Sequence, residues 1–492
     1  MSLRVQARPA LRVGDEEIAD TAAGTMPDTD PTTGRHVADV PIADEPTVDT
    51  AVRVAARAAE EWRRLSVHER ATLVRGLATA VRRDLERLAR LDAFDSGNPL
   101  TAMRKDAEYG AAALEYFAGI ATELHGAVVP ASADGLHMTW REPYGVVARI
   151  IPFNHPLMFC AYQVASPLMA GNAVIVKAPD QTPLAPLEFG RLCGDLLPSG
   201  LVTVLTGPGP VTGDALVRHP RIRRIAFTGR RETGLGILEA AARTGHVKNV
   251  SLELGGKNPL IVLPDTDPEV AAGIAVAGMN FDISQGQSCG STSRVFVQQR
   301  DAGAIVDAIA ERLRHLRIGD PLDESTTMGP LVSAEQLDRV RGFIAAGRRE
   351  GARLVVGGGT PPSVAHSGGY YLEPTLFDRV APEHAIAQEE IFGPVIAVRP
   401  WTDYDAMIDE VNATRYGLTA NILTHDLDLA IRTARRVDAG TVWVNGRGQH
   451  FITTPFGGHK DSGIGVEGSL ASLESFTQVK TVHVLGDARG TR

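Results

Sequence analysis

Apolar residues recur at three- and four-residue spacing from about Glu45 to Ala121, through TVDTAVRVAARAAEEW, ATLVRGLATAVRRDLERLARLDAF and GAAALEYFAGIATEL. That spacing predicts a helix-rich opening. From Gly145 the pattern changes to short β-branched runs alternating with helical stretches: GVVARII, PLMFCAYQVASPLMA, NAVIVK, PLAPLEFGRLCGDLL, LVTVL, RIAF, GLGILEAAART and VSLEL. Such alternation reads as consecutive βα units, a parallel sheet with helices on both faces. It resumes after Gly255, from PLIVL and SRVFVQ to VIAVRPW and TVWVN, and predicts a second α/β domain. GAVVPASADGLHMTWREPY and SFTQVKTVHVL fit neither domain. Both read as strands of an arm that pairs elsewhere, another subunit being one option.

At 492 residues the chain is too long for one ordinary core; at ~150 residues per domain it holds several. An apolar fraction of 43% and a charged fraction of 22% belong to a soluble globular protein, not a disordered one. Lys plus Arg number 50 against 59 Asp plus Glu, a net charge of −9. That balance gives no general attraction to phosphate backbones or anionic lipid, so neither nucleic acid nor membrane is an expected partner. The N-terminus carries acidic residues where a signal peptide needs an apolar run, and no stretch reaches the ~20 apolar residues of a membrane span. Cys160, Cys193 and Cys289 form no CxxC or Cys/His cluster. Neither a disulfide framework nor a metal site is indicated, which suits a reducing cytoplasm.

Few residues stand out as chemistry. Cys289 lies in SQGQSCGSTSR, a small-residue turn between a predicted helix and strand, where a nucleophile could meet a substrate carbon; the competing reading is a buried loop cysteine. Cys160 and Cys193 sit on apolar helical patterns and read as core. Glu253 ends the strand VSLEL, the position where α/β sheets build sites and where burial favours general-base duty; it could equally be a solvated carboxylate or a partner of Lys257. Asn154, between Pro152 and Pro156, could donate to a developing oxyanion or simply cap the next helix. FTGRRETG, Phe227 to Gly234, is a glycine-bounded turn opening a helix, suited to a pyrophosphate but lacking the P-loop and GxGxxG patterns. Lys177 and Asp180 end the strand NAVIVK, where they could hold ribose hydroxyls or be surface charges.

In this order the pieces resemble the aldehyde dehydrogenase superfamily, over nearly the whole chain. IIPFNHP looks like its proline-bracketed Asn motif, VSLELGGKNP its glutamate signature and GQSCGSTSR its cysteine signature. EEIFGPV and PFGGHKDSGIG look like its nicotinamide-side motif and C-terminal landmark. The resemblance implies a Cys289 thiolate that attacks the aldehyde, an oxyanion held by Asn154 and the Cys289 amide, and a thioester hydrolysed by water that Glu253 deprotonates. Free thiols titrate near ~8.5, so Cys289 needs help, for which Glu253 or a helix end is expected.

The same resemblance gives cofactor positions: Lys177 and Asp180 at the adenine ribose, Gly209 and Pro210 at the adenine, and Phe227, Gly229, Arg230 and Gly234 in the phosphate turn. Glu390 and Phe392 fall at the nicotinamide ribose. Asp180 would repel a 2′-phosphate and favours NAD. Arg230 replaces a customary Ser, and with Arg223, Arg224 and Arg231 nearby it leaves NADP open. The implied substrate wall is His155, Phe159, Tyr162, Ser288, Gly290, His450 and Phe456, with Arg447 close in sequence. Two imidazoles where aromatics are common suggest a polar or aromatic aldehyde.

The implied fold class is α/β: two doubly wound parallel-sheet domains plus a β-strand oligomerisation arm. The dinucleotide-binding domain is expected at 1–121 and 145–255, the catalytic domain at 256–457, and the arm at 122–144 and 470–492, assembling a homodimer or homotetramer. Three alternatives remain. A CoA-acylating semialdehyde dehydrogenase is disfavoured by Glu253, and an inactive binding member of the fold by the retention of Cys289, Glu253, Asn154 and Lys177. A cysteine hydrolase would require a histidine, and none lies beside Cys289 in sequence.

Overall fold

The structure, a computed structural model, describes residues 9–446 and 448–485. Two hairpins, Leu11–Val13 with Glu16–Ile18 and Thr25–Asp30 with Arg35–Pro41, precede the helices Glu45–Arg64, Val67–Arg83, Leu85–Ser96 and Leu100–Gly119. Asp44 caps the first helix by accepting from the Thr47 amide at 3.0 Å, and Ser66 with Glu69 forms a reciprocal capping box on the second. The apolar faces of these helices, including Val52, Trp62, Leu77 and Leu114, bury into the core of the first sheet.

That sheet runs in the order Gly463–Ile464, Asn249–Glu253, Ile222–Thr228, Val146–Ile150, Ala173–Lys177, Val202–Leu205. Its strands are parallel except Gly463–Ile464, which pairs antiparallel with Asn249–Glu253 at one edge. Val146–Ile150 and Ala173–Lys177 are buried along their whole length, the reason their sequences are continuous apolar runs without alternation. The chain winds away from Val146–Ile150 in one direction and returns on its other side with Ile222–Thr228. Connections therefore leave these two strands in opposite directions, which opens a crevice at their carboxyl ends.

The second sheet has the order Arg353–Val356, Thr375–Asp378, Val395–Trp401, Arg294–Gln298, Pro259–Val262, Thr419–Leu423, Thr441–Val444. Only Arg353–Val356 runs antiparallel. Both sheets are thus parallel α/β layers, as the alternating pattern predicts.

The two segments that fit neither sheet pair with each other. Thr477–Leu485 lies antiparallel to Gly135–Pro143, from Thr477 opposite Pro143 to Leu485 opposite Gly135, and Val128–Val129 adds a third strand. Residues 486–492, included in the expected arm, lie outside the described residues. The arm leaves Val128, Val479, Val484 and Leu485 exposed. Among the described residues no helix is long and apolar enough to cross a membrane.

Candidate active site

At the crevice lies a cavity of about 540 Å³, within the range of small-molecule sites. The first sheet contributes the segments that follow its strands: Pro152 to Asn154, Lys177 with Asp180, Phe227 to Arg230, and Glu253 to Gly255. The second sheet contributes Cys289, Glu390 and Phe392, so the groups singled out in sequence come from both sheets to one space.

Cys289 follows the short helix Phe281–Ser284 through Gln285 and Gly286, both in the left-handed region. Its loop is anchored by Asn258, whose Nδ2 donates to the carbonyls of Cys289 at 2.6 Å and Ser291 at 3.0 Å, while its Oδ1 accepts from the Thr419 amide at 3.1 Å. Gly256 is needed here for close approach, since a Cβ would stand 2.9 Å from the Cys289 carbonyl oxygen. The Glu253 carboxyl faces the thiol, and its buried Oε1 has no hydrogen-bond partner. Burial pushes Glu253 up to about 8, with Glu390 and Glu467 acting in the same direction. Burial also pushes the Cys289 thiol well above its ordinary value, and the Glu253 charge adds to the rise.

An adjacent carboxylate opposes a thiolate, so the help expected of Glu253 is open to it as an acceptor of the thiol proton. Glu253 is not a partner of Lys257. The Lys257 Nζ is buried without a hydrogen-bond partner, and burial beside Arg294 lowers it to about 7.

Asn154 is buried. Its carbonyl accepts from Asn98 Nδ2 at 2.8 Å, and its side-chain Oδ1 is unpartnered. The capping alternative does not hold: His155 is the N-cap of helix Pro156–Met169, and no side-chain hydrogen bond caps it. Asn154 therefore lines the same cavity as Cys289 without capping a helix.

The other end of the cavity suits a dinucleotide. Lys177 is buried and ion-paired with Asp180; Gly209 and Pro210 line the wall beside them. Helix Arg231–Ala242 begins at Arg230 without a side-chain cap, which leaves its first amides free for a phosphate. Glu390 accepts from the Gly256 amide at 3.0 Å, and burial raises it to about 7. Phe392 holds φ at 58°, rare for a non-glycine residue; its carbonyl accepts from Gln336 Nε2 at 2.6 Å, and its ring packs on Phe153.

Two expectations are not met on this side. Gly234 does not line the cavity; a Cβ there would stand 2.7 Å from Leu254 Cδ2, so the glycine serves helix-on-sheet packing. The basic group does not assemble either, because the strand and helix point its members apart. Arg224 is buried against Phe476 and donates to the Ser475 carbonyl and Ser251, and Arg231 pairs with Asp461. Arg223 reaches the Val247 carbonyl, so of these four arginines Arg230 alone lines the cavity, directed towards Glu335 and Gln336.

The implied substrate residues gather beside Asn154 and the Cys289 loop. His155 packs edge-on against Phe159, and His450 against Phe456 and Trp443. A Cβ at Gly290 would lie 3.7 Å from His450 Nε2, which ties His450 to the nucleophile loop, and Ser288 Oγ accepts from the Gly290 amide. His450 is itself exposed to solvent. Tyr162 is buried against Tyr109. Arg447 lies outside the described residues.

Sequence reasoning missed several contributors. Asp106, on helix Leu100–Gly119, bonds His155 Nδ1 at 2.7 Å. Arg149, inside a run read as apolar, makes a buried pair with Glu467 at 2.6 and 3.1 Å, just beyond the edge strand Gly463–Ile464. Asn258 was within the quoted glutamate motif, where an Asn between Lys and Pro was a usable signal; Asp106 and Arg149 had none.

A doubly wound sheet with a cavity at its switch point is the arrangement of a dinucleotide-binding α/β protein. The family model described as "Aldehyde dehydrogenase family" matches residues 18–482. Aldehyde dehydrogenase tropH of Talaromyces stipitatus is 43% identical over 96% of this chain and 92% of its own. Hydroxyisobutyraldehyde dehydrogenase of Mycolicibacterium austroafricanum is 39% identical, over 98% of this chain and 94% of its own. An NAD+ complex of aldehyde dehydrogenase from Bacillus cereus superposes with a TM-score of 0.94 at 35% identity, covering 98% of both chains. The chain belongs to the aldehyde dehydrogenase family, and its activity is oxidation of an aldehyde.

Proposed function

We propose that this protein oxidises a polar or aromatic aldehyde to its carboxylic acid, with Cys289 as nucleophile, Asn154 as oxyanion donor and Glu253 as the base that deacylates. The observation that carries this reading is the convergence of the Asn154 side chain, a Glu253 carboxyl whose Oε1 has no partner and the Cys289 thiol in the wall of one switch-point cavity. A nicotinamide dinucleotide fits the uncapped helix start and the Lys177–Asp180 pair, and when bound it supplies the hydride acceptor. The NAD complex of the Bacillus cereus relative and the carboxylate at Asp180 favour NAD over NADP.

The residues divide the work as follows. Glu253 accepts the thiol proton, and the sulfur adds to the aldehyde carbon, giving a thiohemiacetal oxyanion that Asn154 Nδ2 and the Cys289 amide hold. Loss of hydride leaves a thioester on Cys289. Glu253, having released the thiol proton to solvent, removes a proton from water that attacks this thioester; it passes that proton to the departing sulfur, so the acid leaves and the thiol is restored. An unpaired buried carboxyl near neutrality is suited to both transfers, since it takes and releases a proton within the working pH range. Assembly into a homodimer or homotetramer through the exposed apolar side of the arm belongs to the same proposal.

The test follows reduced-nicotinamide absorbance with NAD and NADP over aliphatic, aromatic and hydroxylated aldehydes, with and without coenzyme A. Turnover without coenzyme A that requires Cys289 and slows without Glu253 is the expected result. Turnover only when coenzyme A is supplied would replace hydrolysis by acyl transfer.

A further inference from the structure

His155 and Asp106 form a pair that the proposed chemistry at Cys289 does not use. Asp106 lies on helix Leu100–Gly119 and His155 at the start of helix Pro156–Met169, next to Asn154. The Nδ1–Oδ2 distance is 2.7 Å, and each side chain keeps 13% of its exposure. The carboxylate fixes Nδ1 as the donor, so the ring cannot turn without breaking this bond. Nε2 makes no hydrogen bond among the described residues, and the ring packs against Phe159, which lines the cavity at Asn154. A fixed imidazole thus keeps one nitrogen free, one residue along the chain from Asn154 and against the cavity-lining Phe159.

Three classes of aldehyde substituent can be weighed against that nitrogen. An apolar group would leave a polar atom unpaired. A carboxylate can only accept, so it pairs with Nε2 only when the ring carries a second proton, and it would meet the negative Asp106 directly behind the ring. A hydroxyl both donates and accepts, so it pairs with Nε2 whether or not the ring carries a second proton. We infer that His155, oriented by Asp106, is the specificity-determining residue of this enzyme, selecting an uncharged hydroxylated aldehyde over its apolar and carboxylated analogues. The inference rests on the dehydrogenase reading above and narrows its substrate.

The experiment measures kcat/KM with NAD for benzaldehyde, 3- and 4-hydroxybenzaldehyde and 4-carboxybenzaldehyde, and for isobutyraldehyde beside 2-hydroxyisobutyraldehyde. Each preference is a ratio within one enzyme, so it is insensitive to the fraction of active protein. The wild type is expected to favour the better-placed hydroxylated member of each series by about tenfold, the worth of one hydrogen bond, and to disfavour the carboxylate. His155→Phe keeps an aromatic ring and is expected to bring the hydroxyl ratio close to one. Asp106→Ala should lower the ratio, and Asp106→Asn, which still accepts from Nδ1, should restore most of it; this rescue is what a merely structural Asp106 would not give. A hydroxyl ratio unchanged in His155→Phe, or a wild type that prefers the carboxylate, overturns the inference. Equal use of hydroxylated and parent aldehydes by the wild type overturns it while leaving the dehydrogenase reading intact. A wild type inert toward every aldehyde overturns both.

Discussion

The two faces of the site are constructed differently. On the face proposed for the cofactor, the working groups sit at the ends of strands: Lys177 closes Ala173–Lys177, Gly229 follows Ile222–Thr228, and Glu253 closes Asn249–Glu253. Their positions follow from the main chain, and much of their binding capacity is backbone amide. On the face proposed for the substrate, His155, His450 and Phe456 are loop or helix-start side chains whose orientation comes from other side chains, Asp106 and Trp443 among them. Substitutions on the first face should act on all substrates alike, and those on the second should sort one substrate from another.

The junction between the faces gives the largest expected effect. Cys289→Ser should abolish aldehyde oxidation, by about a thousandfold or more, while NAD still binds as measured by calorimetry. Loss of NAD binding in that variant would mean the two faces are not separable. Next, Glu253→Gln should slow turnover by about a hundredfold to ten-thousandfold, because the base that takes first the thiol proton and then the water proton is gone. The base must be ionised to act, and burial raises Glu253 to about 8. Steady-state turnover of the wild type should therefore climb as pH rises through about 8, a limb that Glu253→Gln lacks. A pH profile identical in both proteins would remove Glu253 from the deacylation step.

Asn154→Ala should cost about a hundredfold in kcat, the usual worth of one oxyanion donor, equally for hydroxylated and unsubstituted aldehydes. A loss confined to one substrate class would move Asn154 to the substrate face. The smallest effect belongs to the remote end of the cofactor face. Asp180→Ala removes a negative charge from the partner of Lys177, so the ratio of kcat/KM for NAD over NADP should fall by about tenfold. An unchanged ratio would assign the preference to Arg230 or to the backbone.

Legibility in the sequence follows the same division. The parallel sheets could be read because buried parallel strands must be continuous apolar runs, as in GVVARII and NAVIVK. Cys289, Glu253 and Asn154 are candidates by position, each with a competing bland reading, and the resemblance of their motifs to the aldehyde dehydrogenase superfamily is what separates them. Asp106 could not be singled out. It is one polar position among many on an amphipathic helix, and its meaning appears only when His155, 49 residues away, lies beside it. Arg149 is a similar case: in sequence it interrupts an apolar strand, and its reason, Glu467, is 318 residues distant. The arginines near FTG show the opposite failure. Arg223, Arg224, Arg230 and Arg231 are neighbours along the chain, yet strand alternation and the helix turn send their side chains to four different surroundings.

By itself, then, the sequence determined the α/β class, the order of strands and helices, and the residue types able to act as nucleophile, base and oxyanion donor, because periodicity and strand-end position are local properties of the chain. The tertiary structure alone decided which carboxyl faces the thiol, that burial would raise both groups, and which nitrogen of His155 stays free. Those properties depend on desolvation and on partners brought from distant segments, and neither is encoded at any one position.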